Sequence, residues 1–290
     1  MSEWVIGIIG GSGLYVMDAL EDAQWLAVDT PWGRPSDELL MGRIHGIRFV
    51  FLPRHGRGHP IPPSELNARA NVDALKRAGC TDLLAISAIG SLREEIPPGH
   101  FVAADQFIDR TFARAPSFFG TGFAAHVSMA DPVCPRLSAL ASDAAESAGA
   151  PVTRGGCYVA IGGPQFSTRA ESRMYRAWGG DVIGMTAMPE AKLAREAELP
   201  YALIGMVTDY DCWRDGEAVD VAEIVGRLHA NAGTARRLVA ELARALPKER
   251  PPSPIDTNLD SAVITAPDAR DLAMASKLDA VCRGFFARRG

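Results

Sequence analysis

The sequence predicts an α/β domain whose sheet is largely parallel or mixed. Short continuous apolar runs recur along the chain, and stretches of helical period lie between them. The 290 residues, 47% hydrophobic and 22% charged, suffice for one large domain with a well-buried core. Apolar runs without polar alternation suit strands covered on both faces.

Trp4–Ile9 (WVIGII) is the first such run and leads into glycines; Ile47–Leu52 (IRFVFL) is the second. Ser64–Gly79 then reads as a helix, with Ser64 as its N-cap and Gly79 just past its end. Asp82–Ser87 (DLLAIS) is a third strand, and Arg136–Gly149 a second helix. Asp181–Ala191 (DVIGMTAMPEA) passes from a strand into a helix opening at Pro189. Tyr201–Val207 (YALIGMV) is a further buried strand, followed by a long helix over Ala222–Leu246. The Pro-rich stretch Pro247–Asp256 breaks the pattern. It divides a main domain, 1–248, from an extension, 249–290. The extension is expected to hold one helix within Ala269–Arg289 and to pack on the same domain or a neighbouring subunit.

The net charge is −5 and the basic residues are dispersed, which argues against a nucleic-acid polymer as partner and leaves room for a small anion in a local pocket. Cys80, Cys134, Cys157, Cys212 and Cys282 form neither CxxC nor a zinc spacing with histidine. They read as reduced thiols of a cytoplasmic protein. The first residues lack the basic segment and cleavage site of a signal peptide. No apolar run reaches the ~20 residues of a membrane span.

Chemistry concentrates where the apolar runs end. Gly7–Gly13 (GIIGGSG) can turn backbone N–H groups toward an anion, with Ser12 adding a hydroxyl. A tight turn without ligand is the alternative. As a dinucleotide fingerprint the segment fails, because Val16 stands where the third glycine belongs and the P-loop lysine is missing. Arg54 and His55 follow the second run, at the strand end where open α/β sheets bind ligands. Arginine offers a planar fork of donors to phosphate; a surface ion pair and a capping histidine are the alternatives. Ser87 and Ala88 close the third run, either to let a ligand approach or simply to pack. Phe166, beside Ser167, offers a ring to a planar base or to the core. Met185 and Thr186 sit at a strand–helix break, where the threonine can bond an oxyanion or shape a turn. His126 is a lone loop histidine of the kind most often structural.

Asp209 and Asp211 flank Tyr210 at the end of the last strand. They can cap a helix, hold a divalent ion, or meet the edge of a nitrogen heterocycle. Anion donors at several strand ends, an aromatic ring and an acidic pair together suit an oxyanion nucleophile and a purine better than a metal.

Nine blocks stand in order over roughly residues 4–246: IGIIGGSGLY, DTPWGRPSD, LPRHGRGH, GCTDLLAISAIGSLREEIPPG, DQFIDRT, SMADPVCP, GGPQFSTRAES, WGGDVIGMTAMPEAKLARE and VTDYDCW. Together they resemble the trimeric purine nucleoside phosphorylase family, in particular its members that act on 5′-methylthioadenosine. The resemblance implies a single domain with a twisted mixed sheet flanked by helices. It also implies a homotrimer with sites near subunit interfaces. The implied reaction is phosphorolysis of 5′-methylthioadenosine to adenine and 5-methylthioribose 1-phosphate. Inorganic phosphate would be co-substrate, with no metal or organic cofactor.

Carried over by motif, Ser12, Arg54, His55, Ser87, Ala88 and Thr186 would hold phosphate. Met185 would lie against the ribose and Phe166 on the base, with Ser167, Ile183 and Tyr210 as further substrate contacts. Val221, Ile224 and Val225 would line the apolar 5′ pocket, and His126 would reach a neighbouring subunit's site. Asp209 and Asp211 would face N7 and the 6-amino edge. A carboxylate accepts from a 6-amino donor and opposes a 6-oxo acceptor, so adenine-type substrates are expected. Ser167 agrees, because 6-oxopurine relatives carry an acid there. Protonation of the leaving purine requires Asp209 to have a raised pKa, from apolar surroundings and from Asp211.

Two positions depart from the pattern: Gly162 where many relatives carry Glu, and Gly184 where many carry Asn. The rival readings are a phosphorylase for 6-oxopurine nucleosides, a non-catalytic nucleoside sensor and an NAD-linked oxidoreductase. The acidic pair, the phosphate donors and the glycine loop respectively argue against them.

Overall fold

The computed structural model describes the chain except residues 1–2, 12, 16, 215–220 and 290; at 221, 223 and 229 it describes the backbone alone. Its strands are β1 (Val5–Gly10), β2 (Glu21–Leu26), β3 (Leu39–Ile44), β4 (Ile47–Pro53), β5 (Asp82–Ser91), β6 (Phe101–Ala104), β7 (Gln106–Arg110), β8 (Val152–Arg154), β9 (Cys157–Ile161), β10 (Val182–Gly184) and β11 (Tyr201–Asp209). The helices are α1 (Ala68–Arg77), α2 (Pro135–Ser147), α3 (Arg169–Ala177), α4 (Ala187–Glu196), α5 (Val221–Ala245), α6 (Leu259–Ala262), α7 (Leu272–Lys277) and α8 (Arg283–Arg289).

One mixed sheet runs β2-β3-β4-β1-β5-β10-β9-β7 and branches at β5, which also pairs β11; beyond β11 lie β6 and β8. β1 runs parallel to β4 and β5, and β5 parallel to β11. These are the apolar runs of the sequence, and their alternation explains why they are apolar throughout. Val5, Ile9, Val50, Leu52, Leu83, Ala85 and Leu203 enter a core with α1 and α4. Ile6, Ile8, Phe49, Phe51, Leu84, Ile86 and Ile204 face the opposite way into a core with α2 and α5. Both faces of the central strands are covered, so neither set of alternate positions can be polar.

Local details differ from the sequence reading at several points. Ser64 does not cap α1; Pro63–Glu65 form a separate 3₁₀ turn, and the Asn67 side chain accepts the Ala70 N–H instead. Gly79 does follow α1 in left-handed conformation (φ +86°), with Gly79 and Cys80 N–H groups donating to the Lys76 and Leu75 carbonyls. α4 is bounded at Ala187, but Met188 is extended, so its regular part opens at Pro189 as the sequence reading has it. The short edge strands β2, β7 and β8 carry no apolar run, because each is largely exposed or half-buried.

After Pro247 the single expected helix is replaced by α6, α7 and α8. Leu278, Ala280, Val281 and Cys282 are all buried. Consecutive residues point to different sides of a helix, so the chain must turn there to bury them together. Leu259, Leu278, Val281 and Phe285 join the α1/α4 core, and Arg250 ion-pairs with Asp82 and Asp256. Phe285→Ala should therefore cost about 3–5 kcal/mol in urea unfolding. Leu272→Ala, at an 84% exposed position, should stay within about 0.5 kcal/mol of wild type.

Candidate active site

Because β1, β4, β5 and β11 share a direction, their carboxyl ends meet along one edge of the sheet. β10 runs antiparallel to β5, pairing Ile183 with Gly90, and so returns Gly184–Thr186 toward Ser87. A cavity of about 500 Å³ opens there. It brings together Arg54, His55, Ser87, Ala88, Phe166, Ile183, Met185, Thr186, Asp209, Asp211, Ile224 and Val225 from the residues singled out in the sequence. Ser12 and the Val221 side chain lie outside the described residues.

Arg54 anchors one end. Its Nε donates to Glu190 Oε2 at 2.9 Å and its Nη2 to Glu190 Oε1 at 3.1 Å. The same guanidinium bonds the carbonyls of Ile86, midway along β5, and Ile9, near the end of β1. Tyr201 adds its hydroxyl to Glu190 Oε1 at 3.0 Å. Arg54 is therefore no surface ion pair; its side chain is only 1% exposed.

His55 lies beside it. Nδ1 is 2.9 Å from the Ile61 carbonyl, which only accepts, so Nδ1 carries the proton. The ring stacks on His59 at 4.1 Å between centroids. Burial, and then the Arg54 charge, push the His55 pKa down to about 4, so the ring is neutral at pH 7. Across from it, the Thr186 and Ser87 hydroxyls are 3.2 Å apart.

The other end is acidic. Asp209 Oδ1 accepts the Asp211 N–H and Oδ2 the Thr208 hydroxyl, each at 2.7 Å. Burial raises the pKa of Asp209, opposed by these two donors. Burial raises that of Asp211 as well, and there the Asp209 charge adds to it. The influence of one acid on the other is thus seen at Asp211, while burial drives both. Asp211 Oδ2 has no hydrogen-bond partner.

Three of the expected substrate residues lie apart from the cavity lining. Tyr210 turns away, with its hydroxyl 3.3 Å from the Glu94 carbonyl and Arg214 stacked on its ring. Ser167 is outside the lining that Phe166 joins, its carbonyl accepting from the Cys212 thiol. His126 lines a separate cavity of about 450 Å³ with Lys192 and Glu196. Burial pushes the Glu196 carboxyl there up to about 7.

Sequence reading passed over Glu190, His59 and Arg114. Arg114 donates to the carbonyls of Met185 and Met188 at 2.7 Å and of Gly162 at 2.6 Å. It ties the loop after β9 to the entry of α4, and no carboxylate lies within ion-pair distance of it among the described residues. Only the juxtaposition reveals it, because a lone arginine in a loop has no local signature. Glu190 carried one available signal, an acid in the first turn of a helix otherwise facing the core. Among the described residues no group of three His, Cys, Asp or Glu is placed to hold a metal ion, and no helix is long and apolar enough to cross a membrane.

Residues 5–244 match the model of the phosphorylase superfamily, and the chain belongs to that family. It is 58% identical over 281 residues to an S-methyl-5′-thioadenosine phosphorylase of Cereibacter sphaeroides, covering 96% of this chain and 97% of that one. Its identity to the same-named protein of Bradyrhizobium diazoefficiens is 56%, over 97% and 98% of the two chains. The fold is similar to a crystal structure of methylthioadenosine phosphorylase from an antarctic soil metagenomic library. That match has a TM-score of 0.92 and 42% identity, over 97% of this chain and 99% of that one. It is also similar to the Schistosoma mansoni methylthioadenosine phosphorylase in complex with adenine, at TM-score 0.80 and 35% identity, over 97% and 99% of the chains.

Two outcomes follow from the anion end. Glu190→Gln leaves a buried guanidinium without its counter-charge and should cost about 3–5 kcal/mol in chemical denaturation. The His55 pKa is lower folded than unfolded, so its contribution is complete above about pH 6.5 and is lost as pH falls through 4. Between pH 7.5 and 5, wild type should lose on the order of 2 kcal/mol more than His55→Asn. Parallel losses would show that His55 is not held neutral.

Proposed function

We propose that this protein cleaves 5′-methylthioadenosine by phosphorolysis, giving adenine and 5-methylthioribose 1-phosphate. The observation that carries this reading is the polarity of the cavity. Donors (Arg54, Ser87, Thr186) stand at one end beside the neutral His55, and the acidic pair Asp209 and Asp211 at the other, with apolar Ile224 and Val225 among the lining residues. Its volume, about 500 Å³, suits a nucleoside with phosphate. Its relatives at 56–58% identity carry the corresponding name.

In this reading Arg54, His55, Ser87, Ala88, Thr186 and Ser12 hold inorganic phosphate, which is a co-substrate; no other cofactor takes part. Met185 and Ile183 lie against the ribose, and Phe166, exposed at the cavity mouth, folds over the base. Val221, Ile224 and Val225 receive the 5′-methylthio group. Glycosidic cleavage places positive charge on the ribose and negative charge on the purine. Phosphate offsets the first and completes the displacement at C1′. Asp209, with its pKa raised by burial, shares a proton with N7 and offsets the second. Asp211 Oδ2, an acceptor without a partner, takes the 6-amino donor. The chain works as a cytoplasmic homotrimer in which exposed His126 reaches toward a neighbouring site. The five free cysteines are consistent with a reducing compartment.

The test is adenine release from methylthioadenosine with and without phosphate, beside adenosine, inosine and methylthioinosine. The expected result is phosphate-dependent turnover of the 6-amino nucleosides, with the 6-oxo compounds slower by about 10⁴-fold. Adenosine should be accepted less well, since a methylene-scale contact is worth only about 1–3 kcal/mol. Asp209→Asn should lower kcat by about 10²–10⁴-fold. Equal turnover of inosine and adenosine would overturn the reading of the acidic edge.

A further inference from the structure

We propose that Tyr158 is a positioning residue for the phosphate end of the cavity, acting on the co-substrate through the Thr186 hydroxyl. The inference rests on the functional reading above and assigns a residue that does not itself line the cavity.

Tyr158 lies on β9, in register with Val182 of β10, and its ring meets the edge of Phe107 at 5.9 Å. The side chain is fully buried, and no hydrogen bond of normal geometry reaches its hydroxyl. A phenol oxygen in that state is unfavourable, and phenylalanine would fill the same space without the penalty. Tyr201 provides the contrast: equally buried, it donates to Glu190.

The place of the Tyr158 oxygen is specific. A Cβ on Gly184 would stand 2.1 Å from it and 2.8 Å from Cζ. The hydroxyl therefore fills the volume that any side chain at 184 would occupy, directly behind the wall formed by Gly184, Met185 and Thr186. The side chain and backbone of Thr186 bear on it, followed by the charges of Arg54 and Glu190. Burial raises its pKa, so the hydroxyl keeps its proton and remains a donor.

Proton counting supplies the role. Thr186 and Ser87 have one hydroxyl proton each, and at 3.2 Å one is spent on the other. For both to donate to a phosphate oxyanion, that mutual bond must open. The Thr186 oxygen then keeps its orientation best if a second donor occupies its lone pair. Tyr158 is the donor in place, and its otherwise unpaired O–H gains a partner in the same step. No covalent bond changes.

The variant Tyr158→Phe tests this, with phosphate binding read by calorimetry and by phosphate-induced thermal stabilisation, and turnover read separately. The expected result is a five- to tenfold weaker phosphate Kd and KM, about the worth of one hydrogen bond. The methylthioadenosine KM should be unchanged, and the ligand-free Tm equal to wild type or higher. In a Thr186→Val background, Tyr158→Phe should add no further loss. Three outcomes would overturn the inference. The first is phosphate affinity within twofold of wild type. The second is a fall in Tm with both KM values raised together, which marks a packing role. The third is an undiminished loss in the Thr186→Val background, which shows action by another route. Wild-type protein that binds phosphate but cleaves no nucleoside would sink the functional reading while leaving the binding comparison intact. Wild type that does neither overturns both.

Discussion

A guanidinium buried at the meeting point of the central strands constrains everything around it. Arg54 is held by Glu190 from α4 and by carbonyls near the end of β1 and midway along β5. Stripping water from such a charge costs several kcal/mol, and only a paired carboxylate with well-formed hydrogen bonds offsets it. The strand ends and the first turn of α4 therefore cannot move independently. Glycines lead out of β1, small residues close β5, and α4 starts where Glu190 can reach. One end of the cavity is built against this arrangement, with Arg54 in its lining.

The two ends of the cavity use burial in opposite ways. At the Arg54 end burial keeps His55 neutral, while Arg54 is compensated by Glu190. Arg114 adds a guanidinium bonded only to main-chain carbonyls in the contacts it makes, and so fixes the loops on either side without neutralising its charge. At the acidic end burial raises the pKa of both carboxyls. One physical effect, loss of hydration, shifts the imidazole down and the carboxyls up, each toward its uncharged form.

The central strands were legible because both of their faces are covered, which forbids polar alternation. The ends of α1 and α2 were legible for a local reason as well: Gly79 and Gly149 adopt positive φ where a helix must stop. Ser64 misled, because two prolines before it favour a separate turn and leave Asn67 to cap α1. β2 was invisible, being a fully exposed edge strand. Within the site, the residues at strand ends could be picked out, whereas Tyr210 could not be told from its acidic neighbours. One step along the chain at a strand end reverses the side a residue faces, and Tyr210 points to Glu94 and Arg214.

By itself the sequence determined the class of fold, the order of its elements and the chemical types available at each strand end. These are local matters, set by hydrophobic period and backbone preference. Only the tertiary structure decided which of those groups face one another. It paired Arg54 with Glu190 across 136 positions of chain, brought Thr186 within hydrogen-bond distance of Ser87, and set the Tyr158 oxygen where Gly184 leaves room. Contacts between residues far apart in sequence depend on how whole strands register and how helices cross them, so no local pattern announces them. The partner of a buried polar group is a property of the packed molecule.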